Sequence, residues 1–204
     1  MKIRKYRLRA LLLAAVFMFA AATQAYALVD GDTVTYTSKM SHQARTFSVN
    51  NGEYAGACIE SGVDADTSGT AVATKVGNDT AYARILYYKG IQDGWWENGD
   101  AAFSGNTITK HRVLNMLLQY ANPNRSHSRT KAGWEESGVS SGTIDRVVEM
   151  YDSVLSSIPA SAPSSLETYI AAPASGKQGF MFFKNKTAGY VKVKKVSGNT
   201  NITG

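Results

Sequence analysis

The hydrophobic period changes twice along this chain, and that change limits the folds open to it. From Asp32 to Glu60 apolar and polar residues alternate. Thr33–Ser38 reads TVTYTS, Arg45–Val49 reads RTFSV, and Asn50-Asn51-Gly52 is a turn signal between runs. Tyr54–Ile59 continues as a strand of small residues, where alternation puts Gly56 and Cys58 on one side. Ser61–Gly77, rich in Gly, Ser, Thr and Asp, reads as a loop. The middle of the chain then runs at helical period. Tyr82, Ile85 and Leu86 mark a helix over Ala81–Lys89, with Asp79 or Thr80 as cap and Gly90 as stop. Val113, Leu114, Leu117 and Leu118 mark a second, from Thr107 or Thr109 to Tyr120. Ile144 to Ile158 keep the period in a third, capped by Thr143 and stopped by Pro159. Beyond a Pro/Ser linker at Ser161–Ser165, strands return at Thr168–Ala171 and Gly179–Phe183, and Lys184–Ala188 reads as a polar turn. Strands at both ends around a helical middle predict an α+β fold.

The N-terminus carries an export leader. Lys2, Arg4, Lys5, Arg7 and Arg9 precede an apolar run, Ala10–Ala22, and Ala25-Tyr26-Ala27 is a small-x-small cleavage site. The run of 13 residues is short of the ~20 that a spanning helix needs. The formal net charge is +6, and those five basic residues account for most of it, leaving about +1 from Leu28 onward. The alkaline character therefore belongs to the leader. It does not argue for nucleic acid or an anionic membrane as partner, and no membrane role beyond export is expected.

Cys58, in Glu53–Gly62 (EYAGACIESG), is the only cysteine, which excludes a disulfide framework and a Cys-rich metal site. His42, His111 and His127 lack metal-ligand spacing, and no cofactor fingerprint occurs. A lone thiol in an exported chain has several open readings: a packed small hydrophobe, an intermolecular disulfide, or a nucleophile. Cys58 with His111 or His127 would make a cysteine hydrolase. A β-like setting with Glu60 two places on, however, does not favour thiolate. Trp95, Trp96 and Trp134 are candidates for a ligand platform, the first two in a Gly-bounded aromatic loop, Gly94–Gly99.

The order of these features resembles the thioester-domain region of Gram-positive surface adhesins and pilus proteins. The residues that carry the resemblance are Ala57-Cys58-Ile59-Glu60 at a strand end, the helix Ile85-Leu86-Tyr87-Tyr88-x-Gly90, the aromatic loop and the Thr-led helix after it. Gly189–Ser197 (GYVKVKKVS) is similar to the first strand of the prealbumin-like (SpaA or CnaB type) pilin repeats that follow such domains. The organisation expected is a leader over 1–27, an adhesin domain over 28–186 and an incomplete repeat start over 187–204. The resemblance implies a secreted or cell-wall-associated adhesin or pilin-tip domain. Its partners would be a host or cell-surface protein and downstream pilin domains, and its chemistry a single bond-forming event without turnover. In the family a cysteine thiol and a glutamine carboxamide condense to an internal thioester, an acyl electrophile open to a surface amine. The family's glutamine position falls here on Lys110, after Thr109, and lysine supplies no carboxamide. The glutamines that remain from Leu28 onward are Gln43, Gln92, Gln119 and Gln178. Gln92, in the loop, and Gln119, near the end of the helix, are the partner candidates for Cys58, either with an altered site geometry. A non-covalent binding module with a degenerate site is the alternative. Lys195 stands where the repeat carries its isopeptide-forming lysine, whose partner would lie beyond Gly204.

Overall fold

Six of the segments bury alternate residues against one another, and the computed structural model closes them into an antiparallel barrel. It describes residues 28–41, 43–97, 100–103, 108–173 and 177–186. The leader, Lys195 and the strand expected at Gly189–Ser197 lie outside those residues. The strands are β1 (Thr33–Ser41), β2 (Ala44–Val49), β3 (Tyr54–Cys58), β4 (Ser68–Val76), β5 (Leu166–Pro173) and β6 (Phe180–Asn185), joined in the closed order β1-β2-β3-β6-β5-β4. Closure leaves no unpaired edge among them, so every strand has two neighbours for its backbone amides and carbonyls.

The barrel interior is filled with rings. Phe47 and Phe180 stack at 4.3 Å, Tyr169 and Phe182 at 5.1 Å, and Tyr54 stands edge-on to Tyr169 and Phe182. Small residues make room for them. Gly56 sits opposite Phe47 and Phe182 in the strand registers, and a Cβ there would lie 2.8 Å from the Met181 carbonyl oxygen. Tyr54 and Cys58 share the inner face of β3, as alternation predicts. Ala57, Ile59, Met181, Phe183, Val76 and Leu166 point the other way, into a second core under the helices.

That second layer holds α1 (Ala81–Ile85), running into a π-helical segment Leu86–Gln92, then α2 (Lys110–Tyr120), α3 (His127–Glu136) and α4 (Ser141–Ser157). Among the described residues the fold is thus α+β, a barrel with its helices inserted between β4 and β5. Thr109 opens α2 by accepting a hydrogen bond from the Arg112 amide at 3.1 Å. From Val113 to Tyr120 every side chain of α2 is buried, so this helix is the centre of the layer.

Five points of the sequence reading need correction. Ser61–Gly77 is not all loop: β4 occupies its second half, because Ala71 and Ala73 alternate inward and pair with β1 and β5. Gly90 does not stop the first helix but lies within the π-helical segment, covered by Leu86 and Leu114. α3, which starts at His127, is a helix that the hydrophobic period did not mark; Ser126 caps it, and Thr130, Gly133 and Trp134 form its buried stripe. Lys184 extends β6, held by Glu53 at 2.8 Å across the barrel surface. At α4 the cap is Ser140 rather than Thr143, whose hydroxyl pairs with that of Ser140 at 3.0 Å.

Candidate functional site

Where β3 leaves the barrel, four successive carbonyls take side-chain donors instead of a strand partner. Asn115 donates to the Cys58 carbonyl at 2.9 Å and Asn122 to that of Ile59 at 3.1 Å. Gln178 donates to the Glu60 carbonyl and Arg125 to that of Ser61. The Ser61 hydroxyl in turn donates to the Thr130 carbonyl at 2.8 Å. The strand exit is therefore clamped against α2, α3 and the connection between them, with no buried carbonyl left unpaired along it. Close approach requires glycine: a Cβ on Gly133 would stand 2.5 Å from the Ser61 carbonyl oxygen, and one on Gly62 would stand 2.9 Å from the Gly133 Cα.

The clamp brings Cys58 and Gln119 together. Gln119 Nε2 donates to Cys58 Sγ at 3.1 Å and to Asn115 Oδ1 at 2.9 Å, while Gln119 Oε1 accepts from the indole Nε1 of Trp134 at 2.5 Å. The thiol donates to the Glu60 carbonyl at 3.2 Å. Cys58 is 3% exposed, Gln119 2% and Asn115 1%, so each polar group here depends on these partners. Arg112, Asn115 and Gln119 follow the helical spacing i, i+3, i+7 on one face of α2. That face borders an open cleft of about 620 Å³, whose lining includes Cys58, Gln119, Arg45, Arg112, Glu60 and Asp64.

Burial pushes the Cys58 thiol up to about 11, against the smaller opposing pull of the Glu60 carbonyl and Gln119 bonds and of the Arg112 charge. The same burial lowers the Arg112 pKa, which the neighbouring Cys58 opposes. The raised thiol pKa has a direct consequence for stability. Between pH 9 and 11 an unfolded chain releases the thiol proton while the folded chain keeps it, so folding stability falls as pH rises through that window. With the thiol free, wild type is expected to lose about 2 kcal/mol more than Cys58→Ala between pH 8 and pH 10.5. Denaturant titrations of both proteins at the two pH values measure the difference; equal losses would show an unshifted thiol.

The other candidates are placed elsewhere. Gln92 is exposed at the end of the π-helical segment and does not line the cleft; Lys110, the first residue of α2, does not line it either. Trp95 and Trp96 are folded back on the helical core rather than presented as a platform: Trp95 meets Phe103 at 5.8 Å, and Trp96 meets His111 at 4.7 Å and Phe183 at 4.9 Å. Trp134 is fully buried. Among the described residues the hydrogen-bond partners of Cys58 Sγ are Glu60 O and Gln119 Nε2, so neither His111 nor His127 bonds it; His127 stacks on Tyr120 at 3.8 Å. Asn115, Asn122 and Arg112 escaped the sequence reading; for Asn115 and Asn122 the visible signal was a polar residue in or just after the largely apolar run Val113–Ala121. Among the described residues no group of three or more His, Cys, Asp or Glu could hold a metal ion, and no helix is long and apolar enough to cross a membrane. No family model, curated protein or solved structure matches this chain.

Proposed function

We propose that this chain is an exported adhesin or pilin-tip domain of the thioester-domain type, whose reactive bond joins Cys58 to Gln119. The observation that carries the reading is the hydrogen bond of 3.1 Å between Gln119 Nε2 and Cys58 Sγ, both buried beside an open cleft. Of the two partner glutamines compatible with the sequence, only Gln119 is within reach of the thiol.

The condensation balances without a further reagent. Cys58 Sγ bonds to the Gln119 side-chain carbonyl carbon, the bond from that carbon to Nε2 breaks, and the thiol proton leaves with the nitrogen as ammonia. The product is an acyl electrophile kept from bulk water by the barrel end and by α2 until a nucleophile enters the cleft. A surface amine of a host or cell-surface protein displaces the thiolate and is left as an amide on Gln119. The Arg112 charge favours the departing thiolate, since it acts on Cys58 in that direction. The event occurs once per molecule and needs no cofactor. In this reading the domain works at the cell wall, carried by pilin domains downstream.

A second reading has its own observation. The buried Cys58 thiol and the Gln119 carboxamide already have hydrogen-bond partners in the Glu60 carbonyl, Asn115 and Trp134, as suits a non-covalent binding module in which the two only pack. Intact-mass measurement separates the two. The refolded chain from Leu28 is expected about 17 Da below its sequence mass, one ammonia lost, with Cys58→Ala and Gln119→Ala each at full mass. A wild-type chain at full mass with an alkylatable thiol would leave the non-covalent module.

A further inference from the structure

We propose that Trp134 is the catalytic hydrogen-bond donor of the Cys58–Gln119 condensation, with Asn115 as the positioning residue that turns the glutamine's leaving nitrogen toward the thiol. This rests on the thioester reading above. It adds the groups that would make an unreactive carboxamide yield to a neutral thiol.

The amide orientation follows from a chain of donors with only one consistent direction. The indole Nε1 of Trp134 can only donate, so the Gln119 atom facing it is the carbonyl oxygen. Asn115 spends its amino group on the Cys58 carbonyl, at 2.9 Å, which leaves its own oxygen to accept from Gln119 Nε2 at 2.9 Å. Nε2 therefore faces both Asn115 and Cys58 Sγ, and Oε1 faces away from the thiol onto the indole. Reversing the amide would set Nε2 against the Trp134 N–H and oxygen against oxygen at Asn115, losing two buried bonds.

That orientation matches the electron flow of acyl transfer. As Sγ bonds to the carboxamide carbon, the C=O electron pair moves onto Oε1, and the Trp134 N–H already points at that oxygen in a water-excluded site. The thiol proton turns from the Glu60 carbonyl to Nε2, whose lone pair the attack has freed, and the nitrogen leaves as ammonia while the C=O re-forms. Attack of an amine on the finished thioester runs through an oxyanion on the same atom, so one donor serves both steps. Trp134 is held for this by full burial, and by Gly133, whose missing side chain lets α3 close on the Ser61 backbone.

The test replaces the donor while keeping the ring. Trp134→Phe removes the N–H together with part of the indole; 3-benzothienylalanine at position 134 keeps the indole outline and loses only the N–H, so it carries the test if Trp134→Phe does not fold. Thioester formation is followed by mass loss after refolding, and aminolysis by thiol release in methylamine. Both rates are expected to fall about 100-fold in the isostere protein, as for loss of one oxyanion donor. A loosened site would behave differently, slowing formation but speeding aminolysis because amine and water enter more easily. Wild-type formation rates in the isostere protein, or slow formation with faster aminolysis, would overturn the role of Trp134 and leave the thioester in place. Wild type at full mass would instead overturn the thioester reading and this inference with it.

Discussion

Gly133→Val is expected to destabilise the protein by about 3 kcal/mol or more, because the added carbons have nowhere to go. The first of them would stand 2.5 Å from the Ser61 carbonyl oxygen and 2.6 Å from its carbonyl carbon. Those atoms are backbone, and the backbone here is fixed by Arg125 and by the Ser61 hydroxyl bond to Thr130. Relief therefore requires α3 to move away from the strand exit as a unit. The same movement stretches the bond from Trp134 to Gln119 and leaves buried polar atoms unpaired on both sides. Gly142→Ala is the control: it is also helical, in α4, but a Cβ there meets nothing within 4 Å. That substitution should be neutral or stabilise by up to about 1 kcal/mol through helix propensity. Denaturant unfolding of both variants measures the contrast, and comparable stabilities would mean that α3 does not close on Ser61.

The barrel was legible where a strand puts rings on one face and polar residues on the other, as β1 and β2 do with Val34, Tyr36, Phe47 and Val49. It was not legible at β4, whose inward residues include only Ala71 and Ala73 and whose first three, Ser68, Gly69 and Thr70, have loop composition. Small residues there are a packing requirement, since the barrel interior they face already holds the rings of Tyr169 and Phe180. α3 was missed for a related reason: it buries one narrow stripe, Thr130, Gly133 and Trp134, too short to set a clear period in a polar segment. The site was half legible. A cysteine on a strand of small residues could be singled out from sequence, and Gln119 could be named as a candidate. Choosing Gln119 over Gln92 needed the packing of α2 against the strand exit, a contact across 61 positions that no local spacing encodes. The clue in hindsight is polar: Asn115, Gln119 and Asn122 interrupt the otherwise apolar run from Val113 to Ala121 and its end, and a buried carboxamide implies a partner.

Phe180→Ala is expected to cost about 3–5 kcal/mol, the range for removing a buried aromatic ring whose site cannot collapse. Collapse is resisted because the ring sits inside a closed barrel, stacked on Phe47 at 4.3 Å and tilted against Tyr36 at 4.8 Å and Phe182 at 6.0 Å. The strands around it are paired on both edges, so none can move inward without breaking ladder bonds to two neighbours. Phe180 is also the strand partner of Cys58 in the β3–β6 register, so the cavity opens beside the thiol. Water admitted there would reduce the burial that raises the thiol pKa, moving it back toward the ordinary range. With the thiol free, the variant should therefore show two coupled changes: a lower unfolding midpoint, and a thiol that reacts with a neutral alkylating agent at lower pH. Phe180→Leu, which refills most of the volume, should recover most of both. A loss of stability with the thiol's pH profile unmoved would mean that Cys58 is shielded by α2 alone, and that the barrel supports the strand without insulating the sulfur.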